Sequence, residues 1–210
     1  DGNFTDRSGN GHIPRMSALG PRPAFLGGQY SAGGHGVGFV PVADRFHKRK
    51  GAVYSDGIDD SFIVPSLGLE NKPVSFAIWI FPVPPPKSQD IHRVILDGFE
   101  KDKTTGIKLE IVDGKVTAYV GNKDGAIGRV SGDEYVGFNQ WHHIACIHDG
   151  KNIYLYQNGK ETSRDSAEGL SVLGTIYVGR SSTISPGKAF ASQPFTYELP
   201  FTGILDDIRI

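Results

Sequence analysis

The sequence predicts an all-β fold, an antiparallel sandwich of two packed sheets, and three observations carry the prediction. No window places apolar residues at helical spacing over three turns, while Gly 28 and Pro 13 make the chain rich in turn formers. The pairs Asp113-Gly114, Asp149-Gly150 and Asn158-Gly159 tolerate the positive φ of tight hairpin turns, so antiparallel neighbours follow. Within 74–80 the side chains alternate: Val74, Phe76, Ile78 and Ile80 share one face, and Ser75, Ala77 and Trp79 share the other.

In chain order, the stretches 61–64, 74–81, 93–96, 107–112, 115–120, 142–148, 153–157, 175–178 and 205–210 read as strands, each rich in β-branched or aromatic residues and bounded by turn formers. Turn signals roughly every 8–12 residues then imply about a dozen strands. The apolar face of 74–80 is core. Its other face sets small residues beside one large aromatic, as expected where a sheet curves, and a sugar ring stacks well on Trp79 there. The alternative is that a loop or a third sheet covers Trp79.

At 210 residues the chain suits a single domain spanning 1–210. Two segments, 13–50 and 181–200, read as long irregular loops. The first carries Pro14, Pro21, Pro23 and Gly27-Gly28, with Met16, Phe25, Leu26, Tyr30 and Phe39 scattered between. Those side chains are costly to leave in water, so this segment is expected to be functional or to pack on a partner. The second carries Phe190, Phe195 and Tyr197 among Ser, Gly and Pro.

With 22 basic and 23 acidic residues the formal charge is −1, which gives no electrostatic footprint for nucleic acid or an anionic membrane. Neither a nucleic-acid partner nor membrane insertion is expected, and no apolar run approaches the ~18 residues of a span. The start at Asp1, without Met, points to a processed or excised product. Asn3-Phe4-Thr5 is a glycosylation sequon. Cys146 is the sole cysteine, so no intrachain disulfide forms; between Ala145 and Ile147 in a strand it reads as a buried, inert thiol.

Catalytic patterns are missing. No E-x-D-x-E run supplies the acid and nucleophile of a sandwich glycosidase, and Glu100-Lys101-Asp102 comes nearest. No G-x-S-x-G elbow and no H-E-x-x-H motif occur. His142 and His143 point to opposite faces of a strand, while His142 and His148 share a face ~20 Å apart, so they read as packing residues rather than as a metal site. Calcium is the plausible metal because it takes oxygens from loops. A structural site is expected from Asp6 and Asn10 together with Asp206 and Asp207, provided the first and last strands pair. Alternatively, Asp6 and Asp56 cap turns through nearby backbone amides.

Seven landmarks, in order, resemble LamG-like jelly-roll domains. They are Asp6-Arg7-Ser8-Gly9-Asn10-Gly11, the run from Ser55 to Val64, Phe76-Ala77-Ile78-Trp79-Ile80-Phe81-Pro82, Trp141-His142-His143-Ile144-Ala145, the run from Tyr154 to Lys160, Ile176-Tyr177-Val178-Gly179-Arg180 and the stretch from Phe201 to Ile210. The resemblance implies a concanavalin A-like antiparallel β-sandwich of two curved sheets, in a group where many domains bind glycans, some bind proteins and some act as spacers. It points to a non-catalytic recognition module at a secreted, cell-surface or virion location, whose partner is a glycan or glycosylated surface. Candidate ligand-binding residues are Trp79, Tyr119, Asn122, Arg180, Phe190, Phe195 and Tyr197: aromatic faces for sugar C–H surfaces, polar groups for hydroxyls. The alternative is an assembly or coat subunit that meets protein neighbours through 13–50; a glycan-active enzyme, or a module of one, ranks third.

Overall fold

A computed structural model describes residues 15–17, 39–57, 60–68, 72–84, 92–99, 105–121, 127–168, 174–181 and 198–210. Among these there are fifteen strands and no helix. In order they are β1 (Arg15–Ser17), β2 (Val40–Val42), β3 (Ala52–Asp56), β4 (Ser61–Val64), β5 (Val74–Pro82), β6 (His92–Asp97), β7 (Gly106–Val112), β8 (Lys115–Gly121), β9 (Ile127–Tyr135), β10 (His142–His148), β11 (Asn152–Gln157), β12 (Lys160–Ser166), β13 (Ile176–Val178), β14 (Glu198–Pro200) and β15 (Thr202–Arg209). Sheet 1 runs β1-β4-β13-β6-β7-β8-β9, with β14 lying parallel beside β6. Sheet 2 runs β12-β11-β10-β5-β15-β3-β2.

The expected turns form for the expected reason. Asp113 and Gly114 sit at φ 49° and 78°, and Asn158 and Gly159 at 53° and 83°, which closes β7–β8 and β11–β12 as two-residue hairpins. Between β10 and β11 the Asp149 carboxylate accepts the backbone N–H of Lys151 and Asn152, each at 2.8 Å, so a side chain does the work of a turn.

The strands missed from sequence include the polar and glycine-bearing β9 and β12, and also β3, whose Ala52-Val53-Tyr54 run is apolar. In β9 the inward positions include Gly128 and Gly132, which blank out the apolar alternation, and β12 is an almost wholly polar edge strand. The segments read as loops also contain structure: β1 and β2 fall in 13–50, and β14 in 181–200.

The core lies between the sheets. Phe76, Ile78 and Ile80 of β5, Ile144 and Cys146 of β10, and Ile153 and Leu155 of β11 face Ile107, Leu109, Val116, Ala118 and Val120 of sheet 1, all buried. Each large aliphatic or aromatic side chain buried this way contributes roughly 1.5–3 kcal/mol. Burial alone pushes the Cys146 thiol up to about 12, so the inert reading holds. His142 and His148 also face inward, bonded to the carbonyls of Gly137 (3.1 Å) and Ala167 (3.0 Å). They tie loops to the core, as packing residues do.

This packing fixes which side chains remain outside. The partners of core residues in β7, β8, β9 and β13 point away from sheet 2, and those of β5, β10 and β11 point away from sheet 1.

Candidate functional site

On the outer face of sheet 1 one tier of side chains crosses five strands. Register places Tyr177 of β13 opposite Asp97 of β6, Asp97 opposite Lys108 of β7, Lys108 opposite Tyr119 of β8, and Tyr119 opposite Arg129 of β9. Lys108, Tyr119 and Tyr177 each lie between fully buried neighbours, which forces them outward. The β6 bulge between Val94 and Leu96 resets the strand's parity, so that Leu96 enters the core while Asp97 joins the outer tier.

Beneath this tier lies Glu110, only 2% exposed although it is charged. Its Oε1 is 3.4 Å from His92 Nδ1; its Oε2 is 3.1 Å from Lys108 Nζ, near enough for charge pairing but off the hydrogen-bonding direction. The Tyr119 hydroxyl donates to the same carboxylate while receiving a hydrogen bond from Arg129. Burial first, and then the Glu110 contact, push the Tyr119 phenol up to about 12, so it stays a donor at physiological pH. At the other end Ser181 Oγ donates to Asp97 Oδ2 at 2.7 Å, and the Arg180 guanidinium stacks 5.4 Å from the Tyr177 ring centre. Asp97, Glu110, Arg180 and Ser181 are all buried polar groups. Buried charges cost desolvation that pairing only roughly repays, so such a cluster stabilises a fold poorly.

Of the residues predicted from sequence, Tyr119 belongs to this tier and Arg180 stacks on Tyr177 at its β13 end. Trp79 does not: it lies on the outer face of sheet 2, opposite His143 and Asp206 on the neighbouring strands. The Arg45 guanidinium sits 4.9 Å from its ring centre, and the His143 ring packs at 5.0 Å. Burial, helped by the Arg45 charge, lowers the His143 pKa, which keeps that ring neutral beside Trp79. Arg45 of the β2–β3 turn and His143 thus cover part of the Trp79 ring, which stays partly exposed. Asn122, Phe190, Phe195 and Tyr197 lie outside the described residues, as do Asp6, Asn10, Glu100 and Asp102.

The expected calcium ligands Asp206 and Asp207 are engaged otherwise. Arg45 bonds both carboxylates, and Arg209 Nη2 lies 2.8 Å from Asp207 Oδ2. A bulge between Asp206 and Arg209 turns Asp207 to φ 49° and aims it at these guanidiniums. The pairing of first and last strands that the site required is not seen among the described strands, since β1 joins β4 in sheet 1 while β15 lies in sheet 2. Two arginines neutralise these oxygens, and the other two expected ligands, Asp6 and Asn10, lie outside the described residues. Among the described residues no group of three His, Cys, Asp or Glu side chains is placed to hold a metal.

The residues that sequence reasoning passed over are Asp97, Lys108, Glu110, Tyr177 and Arg129. A signal was present: Lys108 and Glu110 alternate with Ile107, Leu109 and Ile111, which marks two charges on the outer face of one strand.

Solved structures share this architecture. Domain 4 of AbnA, a GH43 extracellular arabinanase from Geobacillus stearothermophilus, determined in complex with arabinotriose, superposes with a TM-score of 0.62 at 16% identity, covering 98% of this chain and 85% of that one. Domains LG4-5 of the mouse laminin alpha1 chain give 0.58 at 12% identity, with 75% and 41% covered. The botulinum neurotoxin serotype D ligand-binding domain, in complex with N-acetylneuraminic acid, gives 0.56 at 16% identity, with 76% and 38% covered. The chain thus spans less than half the length of the latter two, and at these identities the likeness is one of fold. No curated protein sequence matches. Residues 56–210 match the family Laminin G 3, and with the sandwich they build they place this chain in the concanavalin A-like lectin/glucanases superfamily, to which it belongs.

Proposed function

We propose that the chain is a non-catalytic, secreted or surface-exposed carbohydrate-binding module whose ligand lies on the outer face of sheet 1. The observation that carries this reading is the tier Tyr177–Asp97–Lys108–Tyr119–Arg129, backed by the buried Glu110. Four strand spacings make it about 19 Å long, a shape suited to an extended oligosaccharide lying across the strands. Tyr119 and Tyr177 supply ring faces for sugar C–H surfaces, and Lys108 and Arg129 supply donors for hydroxyls. Glu110 holds the Lys108 and Tyr119 side chains in place, so that less rotamer freedom is lost on binding. Structural neighbours solved with arabinotriose and with N-acetylneuraminic acid support the ligand class without naming the sugar.

The test is a glycan array of the whole chain, followed by calorimetry on any hit. Binding that falls at least about tenfold in Tyr119→Ala and in Lys108→Ala, yet persists in Tyr154→Ala on the opposite sheet, supports the reading. A blank array from folded protein overturns it and favours the assembly role.

A further inference from the structure

The turn joining β2 to β3 is built more firmly than a surface loop requires. Asp44 Oδ1 accepts the backbone N–H of both Phe46 and Lys48 at 2.8 Å, and the Asp44 carbonyl accepts that of His47 at 2.9 Å. His47 and Lys50 adopt φ values of 62° and 57°, an uncommon choice for residues with a Cβ. Arg45 roots the turn in the sheet through Asp206, Asp207 and the Trp79 ring, and its guanidinium also sits 4.4 Å from the centre of the Phe46 ring.

This frame presents a particular surface. Phe46 is 72% exposed, and His47, Lys48, Arg49 and Lys50 beside it are all exposed. The turn's own carboxylate, Asp44, is occupied by backbone amides. A chain of net charge −1 therefore concentrates three formal positive charges within three consecutive residues, next to an aromatic ring held out in water. Core packing gives no reason for that ring to be there.

We propose that this turn docks the protein peripherally on an anionic lipid surface, with Phe46 entering the boundary between headgroups and acyl chains while Lys48, Arg49 and Lys50 meet lipid phosphates. A soluble polyanion uses the cations and leaves Phe46 idle; a bilayer uses both. A turn preformed by Asp44 gives up little conformational freedom on docking. The surface is separate from the sheet 1 tier, so it adds a second contact rather than replacing the first.

The test is co-sedimentation of the whole chain with vesicles of phosphatidylcholine alone or mixed with phosphatidylglycerol, with thermal melts to confirm that each variant is folded. Expected are at least about tenfold stronger binding to the mixed vesicles, loss in 0.5 M salt, loss in the triple variant Lys48→Glu, Arg49→Glu, Lys50→Glu, and a several-fold loss in Phe46→Ser. Phe46→Trp should add emission that shifts to the blue on mixed vesicles and stays unshifted with soluble heparin. Tyr119→Ala should bind vesicles as the parent does. Equal sedimentation with both vesicle types overturns the proposal, and so does charge-dependent binding in which the Phe46→Trp emission does not shift, which would mark adsorption to polyanions in general.

Discussion

Tyr119 and Glu110 meet diagonally across the β7–β8 ladder, the phenol donating to a carboxylate that the fold has taken almost wholly out of water. Tyr119→Phe keeps the ring and deletes the donor, which leaves Glu110 short of a partner. The expected cost is about 1–3 kcal/mol in urea denaturation, together with weaker glycan binding. The parent chain should also show one tyrosine ionising near pH 12 in ultraviolet titration, absent from the variant. Because this folded pKa is raised, its contribution is complete below the ordinary phenol value of 10.0 and is lost as pH climbs through about 12.

Arg45→Ala should cost about 2–4 kcal/mol in denaturant unfolding, because it strands Asp206, a carboxylate only 8% exposed. Arg45→Lys should recover little, since a single ammonium cannot span two carboxylates and two rings. Burial already raises the Asp206 pKa while Arg45 opposes the rise. Without Arg45 the pKa moves further up, and a raised carboxylate regains stability as it protonates. The deficit of Arg45→Ala should therefore narrow as pH falls from about 7 towards about 4, read by melts across that range.

Asp149 behaves in the opposite sense. The backbone N–H groups of Asn152 and Lys151, with the Tyr154 hydroxyl, hold its pKa below the ordinary carboxylate value of 3.8. Its contribution is present above that value and is lost as pH falls through the depressed one. Asp149→Ala should melt below the parent at neutral pH, and the two melting temperatures should converge as pH drops below about 4.

Gly203 marks the place where β15 leaves the β5 ladder no room. Its φ is 144°, and a Cβ there would sit 2.3 Å from the Phe81 carbonyl oxygen. Gly203→Ala should lose about 2–3 kcal/mol, measured by urea unfolding, with its m-value unchanged.

Much of the fold was legible because a sandwich writes its core into alternation. Val74 to Ile80 and His142 to His148 could be read directly, and the hairpin dipeptides announced which neighbours run antiparallel. Among the strands that were not read, β9 and β12 have glycine at inward positions or polar residues on both faces, where periodicity carries no signal, while β3 is a short apolar run that was passed over. The candidate site was legible at one residue of its tier, Tyr119. Arg180 stacks on Tyr177 at the β13 end, whereas Trp79, the obvious aromatic, is stacked against Arg45 from a turn 34 positions earlier in the sequence. Register across non-consecutive strands decided the outcome: the row from Tyr177 to Arg129 draws on β13, β6, β7, β8 and β9, and no local window of sequence spans it.

The position of β15 bears on how the protein is made. This strand enters sheet 2 between β5 and β3, so two strands synthesised far earlier have no hydrogen-bonding partner on their facing edges until residues 202–209 have emerged from the ribosome. Sheet 2 is then completed from its middle, and late. Until that moment the nascent chain displays two unpaired ladders, which are templates for association with other chains, and folding is paced by the slow closure of long loops. Those edges stay open for the time translation takes to reach residues 202–209.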